Sequence, residues 1–507
     1  MTHFPSKPGN TAQIEDGRCL TGVDGLDDIL TGGLQRNCLF LIQGDPGSGK
    51  TTLALQFLLE GIRSHEKVFY VTLAETKQEL ELVARSHGWS LDGITLLELS
   101  AIERVLGREP QTTVFHPSEL ELNKVTELLL DEFHKAKPSR IVFDSLSEFR
   151  LMAETALRYR RELLRLKQEF ANGETTVLLL DDKMSKTPGN VDPHVLSLSH
   201  GVIEMEQLSP DYGTSRRRLR VLKMRGVSFR EGFHDYVIMT GGLRVFPRLI
   251  AAEHFTDFRR EPVSSGLPEL DKLLGGGIDR GTTSLILGPA GTGKSTLAIQ
   301  YSLQLAKSGE KSVIFCFDET LGIMKARAEA LGLHITQYVE NGTINARQIN
   351  PAEVSPGEFV CLVRDLVRAG STLVVIDSLN GYLNAMPGER YLSNQLHELV
   401  AYLNQQGVIT VFVLAQHGLI SALNSPVDLS YLCDNIISLR YFEAGGEVKQ
   451  AAAVIKKRSG AHEKSIREFT IENGKGLRIG KPLKEFRGIL SGLPEYHGGE
   501  DQILRHG

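Results

Sequence analysis

The sequence predicts an α/β protein built from two tandem domains, each a mainly parallel sheet flanked by helices with an antiparallel extension. Three observations carry that prediction. The glycine-rich stretch "GDPGSGKTT" at 44–52 returns as "GPAGTGKST" at 288–296. The surroundings return in the same order: "TGVDGLDDILTGGL" (21–34) with "SGLPELDKLLGGGI" (265–278), "VFYVTLAET" (68–76) with "SVIFCFDET" (312–320), "SRIVFDSL" (139–146) with "STLVVIDSL" (371–379), and "VLKMRG" (221–226) with "VIKKRS" (454–459). Such self-similarity marks a duplicated unit. Within each copy, short continuous apolar runs alternate with amphipathic stretches, as in a parallel sheet covered on both faces.

In the first copy "CLFLIQ" reads as a buried strand and "GKTTLALQFLLEGIRS" as the helix that follows. "KVFYVTL" is a strand, "KQELELVARSHG" a helix with charges on one face, and "SELELNKVTELLLDEFHKA" a longer helix. "RIVFD" and "TTVLLLD" are strands on either side of the helix "ALRYRRELLRLKQEFAN". The pattern then changes to strand after strand, "HGVIEME", "RRRLRVLKMR" and "HDYVIM", which predicts the antiparallel extension. The second copy is shorter between its aligned Glu and Asp, where the first carries the loop-like "GREPQTTVFHPSE" (107–119). The division expected is a flexible N-terminus (1–14), a first domain (15–248), a linker (249–262), a second domain (263–492) and a tail (493–507).

A chain of 507 residues with 41% hydrophobic and 23% charged residues has material for more than one core. A net charge of −5 argues against a general nucleic-acid coat. The opening "MTHFPSKPGN" has no apolar signal region, and no apolar run reaches the ~18 residues of a membrane span. Five scattered cysteines without a CxxC pair fit reduced thiols in a cytoplasmic protein and no zinc site.

The two glycine-rich stretches match G-x-x-x-x-G-K-[ST], a loop between strand and helix whose backbone N–H groups wrap phosphates at the positive end of the helix. Gly44, Gly47 and Gly49, with Gly288, Gly291 and Gly293, let the backbone close on the nucleotide. Lys50 and Lys294 are expected to reach the terminal phosphates, with Thr52 and Thr296 completing the two loops. The hydroxyls of Thr51 and Ser295, with Asp144 and Asp377 at strand ends, are expected to hold Mg²⁺. ATP and Mg²⁺ are therefore the expected ligands. A strand-end Asp alone is usually a cap or turn; its repetition at the same place reverses that reading.

Hydrolysis needs a group to orient and deprotonate water, and Glu75 and Glu319 stand at the ends of the strands after the first helix of each copy. Late in each copy Lys223 and Arg225, and Lys456 and Arg458, place two cations at i and i+2 on one strand face. They can serve as arginine-finger-like groups toward a neighbouring subunit's phosphate. A solvated basic strand is the rival reading, since "RRRLR" (216–220) precedes the first pair.

Together these residues resemble the KaiC branch of the RecA-like ATPases, so that the fold becomes two tandem RecA-like P-loop domains. The resemblance extends from about Cys19 to Tyr496. It rests on the paired phosphate loops, the D-x-x-L-x-G-G lead-in (Asp27 to Gly33, Asp271 to Gly277), the strand-end Glu-Thr and the K-x-R strands. "KSIREFTI" (464–471) followed by "FRGILSG" (486–492) is its most specific part. The resemblance implies a homohexameric double ring with ATP at subunit interfaces, slow hydrolysis, and autophosphorylation of neighbouring Ser and Thr residues in clock members.

Three departures point to a non-clock bacterial or archaeal relative. The adjacent catalytic Glu pair of the family is Ala74-Glu75 here and Asp318-Glu319 in the second copy. The Ser-Thr acceptor pair falls on Ser430-Tyr431, so that Ser430 is the candidate phosphoacceptor and Asp318 the carboxylate for its proton. The tail is short. The function expected is a slow ATP-driven signalling switch with serine autokinase activity and unidentified protein partners. The alternatives are a RecA- or DnaB-like nucleic-acid-dependent ATPase and an ATP-assembled scaffold.

Overall fold

The computed structural model describes residues 17–98, 117–153, 155–183, 193–210, 213–350, 352–384, 392–416, 430–490 and 494–497. The segment read as a flexible N-terminus, residues 107–116 of the stretch read as a loop and most of the tail lie outside the described residues; the last three residues of that loop, 117–119, instead open the helix Pro117–Ala136. Contacts divide the chain into two compact units, Met1–Arg248 and Leu249–Gly507. The segment read as a linker begins inside the second unit, where Leu249 and Ala251 join the core. Among the described residues no helix is long and apolar enough to cross a membrane.

The first unit holds a nine-stranded sheet. From one edge its parallel strands are Ile94–Glu98, Val68–Thr72, Arg140–Asp144, Thr176–Asp182, Leu39–Gly44 and Gly201–Leu208. Arg216–Met224, His234–Met239 and Gly242–Phe246 then continue it antiparallel. The second unit repeats this order strand for strand: Ile344–Gln348, Lys311–Cys316, Ser371–Asp377, Ile409–Ala415, Thr283–Gly288 and Asn435–Ala444, then antiparallel Glu447–Lys457, Arg467–Glu472 and Gly476–Pro482.

The continuous apolar runs are explained by alternation across the sheet. Phe40, Ile42, Tyr70, Val142, Leu178 and Leu180 pack on one face under the helix Lys50–Arg63. Leu39, Leu41, Phe69, Val71, Ile141, Phe143, Val177 and Leu179 pack on the other. In these central strands both faces are apolar, and the acid Asp144 stands at a strand end.

Two details differ from the sequence reading. "HGVIEME" belongs to the parallel set, pairing parallel with Leu39–Gly44, and the direction reverses only at Arg216–Met224. The edge strand Ile94–Glu98 and the hairpin strand Gly242–Phe246 were not foreseen. An edge strand needs fewer apolar residues and carries a weaker signal, as the half-buried Ile94 and Leu96 illustrate.

Candidate functional site

In each unit the strand-to-helix turn after the central strand is the expected phosphate loop. Gly49 has φ 91° and precedes the helix Lys50–Arg63; Gly293, φ 89°, precedes Lys294–Lys307. A Cβ at Gly49 would also lie 2.6 Å from Ile238 Cδ1, so both conformation and space demand glycine. Each loop thereby presents its own helix N-terminus, with the N–H groups of the first turn, to a cradle within its unit. Gly44 and Gly288 end their strands, Gly47 and Gly291 adopt positive φ, and Thr52 and Thr296 are buried in the first helical turn.

Lys50 Nζ donates to the carbonyls of Gly44 and Asp45, both at 3.1 Å, and pairs with Asp182 Oδ1 at 2.8 Å. Lys294 Nζ donates to the Pro289 carbonyl at 2.6 Å. Burial lowers the Lys294 pKa to about 8, opposed by the charge of Asp377. A phosphate in the cradle would further favour that lysine's charged form, which makes the lysine a fit for an anion.

Asp144 ends the strand Arg140–Asp144, two strands from the loop, and accepts from Tyr70 Oη at 2.7 Å. Burial raises its pKa, against the hydrogen bonds from Tyr70 and Thr51 and the charge of Lys50. Asp377 is its counterpart, raised to about 6 by burial first, with the Ser295 hydroxyl lowering it and Glu319 raising it. Each unit thus brings a helix hydroxyl against a desolvated carboxylate. That donor set of hard oxygens suits a divalent cation such as Mg²⁺.

Glu75 follows the strand Val68–Thr72, and the Thr72 hydroxyl both accepts from its N–H (2.9 Å) and donates to its carbonyl (2.7 Å). The next residue, Thr76, caps the helix Lys77–Ser86 in a capping box with Glu79, which fixes where Glu75 stands. Burial raises the Glu75 pKa to about 7, and the Asp144 and Glu79 charges push the same way. Its Oε2 is buried with no hydrogen-bond partner among the described residues. Glu319 occupies the matching place but pairs with Arg327 at 2.7 Å, and Asp318 accepts from Ser378 Oγ.

The late cations stand at the other end of the sheet. Lys223 Nζ donates to the carbonyls of Leu196 (2.6 Å) and Ser199 (2.9 Å), and Arg225 Nη2 to that of Ser197 (2.9 Å). Lys456 Nζ donates to the carbonyls of Ser430 and Cys433, both 2.8 Å, and Arg458 Nη2 to that of Tyr431 (2.8 Å). In each unit a bulge offsets the register beside the lysine, at Val202/Ile203 and at Ile436/Ile437. Arg225 N donates to the His200 carbonyl, and His200 N to that of Leu39, the first residue of the central strand. The cations of a unit therefore lie about 16 Å along the sheet from that unit's own phosphate loop. The run at 216–220 is partly neutralised within the unit: Arg218 pairs with Glu206 at 2.9 Å, Arg220 with Glu204 at 2.6 Å, and both guanidinium groups stack on Phe233.

Sequence reasoning missed Asp182, Tyr70, Ser378 and Arg327. Asp182 was visible as a second strand-end acid in "TTVLLLDD", but its counterpart is Ala415, so it has no echo in the other copy.

Fold and site define a tandem P-loop nucleotide-binding protein of the RecA type. The family model of the KaiC ATPase matches residues 19–250 and again 263–484, and the chain belongs to that family. Among curated relatives it is 26% identical to the circadian clock protein KaiC3 of Synechocystis sp., over 94% of each chain. It is 27% identical to the circadian clock oscillator protein KaiC of Parathermosynechococcus lividus, over 94% of this chain and 87% of that one. With the KaiC of Synechococcus elongatus the identity is also 27%, over 96% and 94%. The chain is an ATP-binding protein with a repeated KaiC-type ATPase domain.

Proposed function

We propose that the protein is a slow ATP-hydrolysing ring that acts as a signalling switch assembled by ATP. The observation that carries this reading is the split of each unit into two half-sites at opposite ends of its sheet. Loop, lysine, hydroxyl and carboxylate stand at one end, and the Lys-Arg pair at the other. Half-sites that cannot meet within a unit meet between copies, and a homohexamer closes such head-to-tail contacts without leaving one unsatisfied. ATP would then lie at subunit interfaces.

In the reaction, the loop N–H groups and Lys50 or Lys294 bind and orient the phosphates, and Glu75 or Glu319 takes the proton of the attacking water. Mg²⁺ held by Thr51 with Asp144, and by Ser295 with Asp377, would supply charge neutralisation. Arg225 and Arg458 would act on the charge that develops in the transition state. Serine autokinase activity on Ser430 belongs to the same reading. So does the binding of further protein partners.

Nucleotide stoichiometry tests it. The full chain with Mg·ATP binds two nucleotides per chain at saturation; Lys50→Ala and Lys294→Ala each bind one. A single nucleotide in the unsubstituted protein would overturn the two-site reading.

A further inference from the structure

The two units treat their strand-end glutamates differently. Glu319 Oε1 takes a charge-assisted hydrogen bond from Arg327 Nη2 at 2.7 Å, from a side chain on the helix Leu321–Ala330 that Thr320 caps. The pair is largely sheltered, with side-chain exposures of 19% for Glu319 and 35% for Arg327. Arg327 has Val83 as its counterpart in the repeat, and no described donor reaches Glu75 Oε2. The duplicated site thus comes in two versions, one carboxylate unengaged and one held.

In hydrolysis the water oxygen bonds to the γ-phosphorus as the bond to the β–γ bridging oxygen breaks. ADP leaves with that electron pair, and the water's proton passes to the carboxylate. A carboxylate committed to a guanidinium is fixed in direction and has a lone pair already occupied. The geometry points to Arg327 as a positioning residue that restrains Glu319, so that the second unit holds ATP while the first turns it over. This rests on the nucleotide reading above.

The test uses the full chain carrying Glu75→Gln, in which phosphate release reports the second site. Adding Arg327→Val, the first unit's own residue, is expected to raise kcat about tenfold with KM changed less than twofold, the size of one charge-assisted hydrogen bond. Arg327→Lys keeps a cation and is expected to raise it less than threefold. Unchanged or slower turnover in Arg327→Val, or equal effects of Val and Lys, would overturn the inference. If Arg327→Val loses its second nucleotide through misfolding, Val83→Arg in a Glu319→Gln chain decides. That variant is expected to lower first-site kcat about tenfold with two nucleotides still bound, and no change would overturn the inference. A starting chain that binds no nucleotide defeats the functional reading itself, before any turnover is measured.

Discussion

Lys50 Nζ stands 2.8 Å from Asp182 Oδ1, an acid that the second unit replaces with Ala415. Asp182 is half exposed, so water screens the pair and its net worth is about 0–1 kcal/mol. Phosphate must displace that carboxylate to reach the lysine. Asp182→Ala is therefore expected to tighten first-site ATP binding two- to fivefold, more at low salt than at high. Titration of a Lys294→Ala chain with labelled nucleotide measures it. Weaker binding would mean that Asp182 serves the bound nucleotide instead of competing with it.

Glu75 gives the first unit a distinct pH dependence. Its pKa is raised to about 7, by burial before the neighbouring Asp144 and Glu79 charges. A general base works when ionised, so kcat/KM for the first site is expected to rise with pH through about 7 and level off above it. A Glu319→Gln chain isolates that limb in a phosphate-release assay from pH 5.5 to 8.5. A flat profile there would remove Glu75 from the proton-accepting role; so would unchanged turnover when Glu75→Gln is added to that Glu319→Gln chain.

Much of this was legible because the sequence says it twice. Repetition turned Asp144 and Asp377 from ordinary strand-end acids into a pair, and did the same for Glu75 and Glu319. The same filter hid what only one copy carries. Asp182 and Arg327 have Ala415 and Val83 as counterparts, so neither could be raised above a solvated charge by spacing alone. The Lys223 and Lys456 strands were found, but the bulges beside them and the carbonyls they bind depend on a neighbouring strand distant in sequence. No local pattern encodes that pairing.

The separation of Arg225 from its own loop makes a prediction about assembly. Arg225 is exposed and its side chain donates to the Ser197 carbonyl, a contact that leaves it able to turn to a phosphate on another copy. Arg225→Ala is expected to lower kcat at least tenfold while KM shifts less than threefold, since a finger acts mainly on the transition state. Sedimentation should show larger assemblies with Mg·ATP than without. A monomer under both conditions would sink the ring.

Phosphotransfer is constrained by the same geometry. Ser430 lies in the turn before the strand Asn435–Ala444, and Asp434 N donates to the carbonyl of Thr283 at 2.7 Å. Thr283 begins the strand that ends at Gly288, so Asp434, in the same turn as Ser430, lies about 16 Å along the sheet from its own loop. Transfer needs an acceptor oxygen about 3–3.5 Å from phosphorus, so the ATP of a neighbouring copy is the expected donor. The base is compromised as well, because Asp318 already accepts from Ser378. Weak phosphorylation of Ser430 is therefore expected, strictly between subunits, with none on Tyr431, whose phenolic oxygen stands much further from the backbone. Mixing a Ser430→Ala chain with a Lys294→Ala chain and mapping phosphopeptides separates the routes. Phosphate should form on the Lys294→Ala chain only when the other copy supplies ATP, and phosphotyrosine at 431 would contradict the assignment. Ser378→Ala should raise the yield several-fold if freeing Asp318 restores a proton acceptor; an unchanged yield would exclude Asp318 from that role.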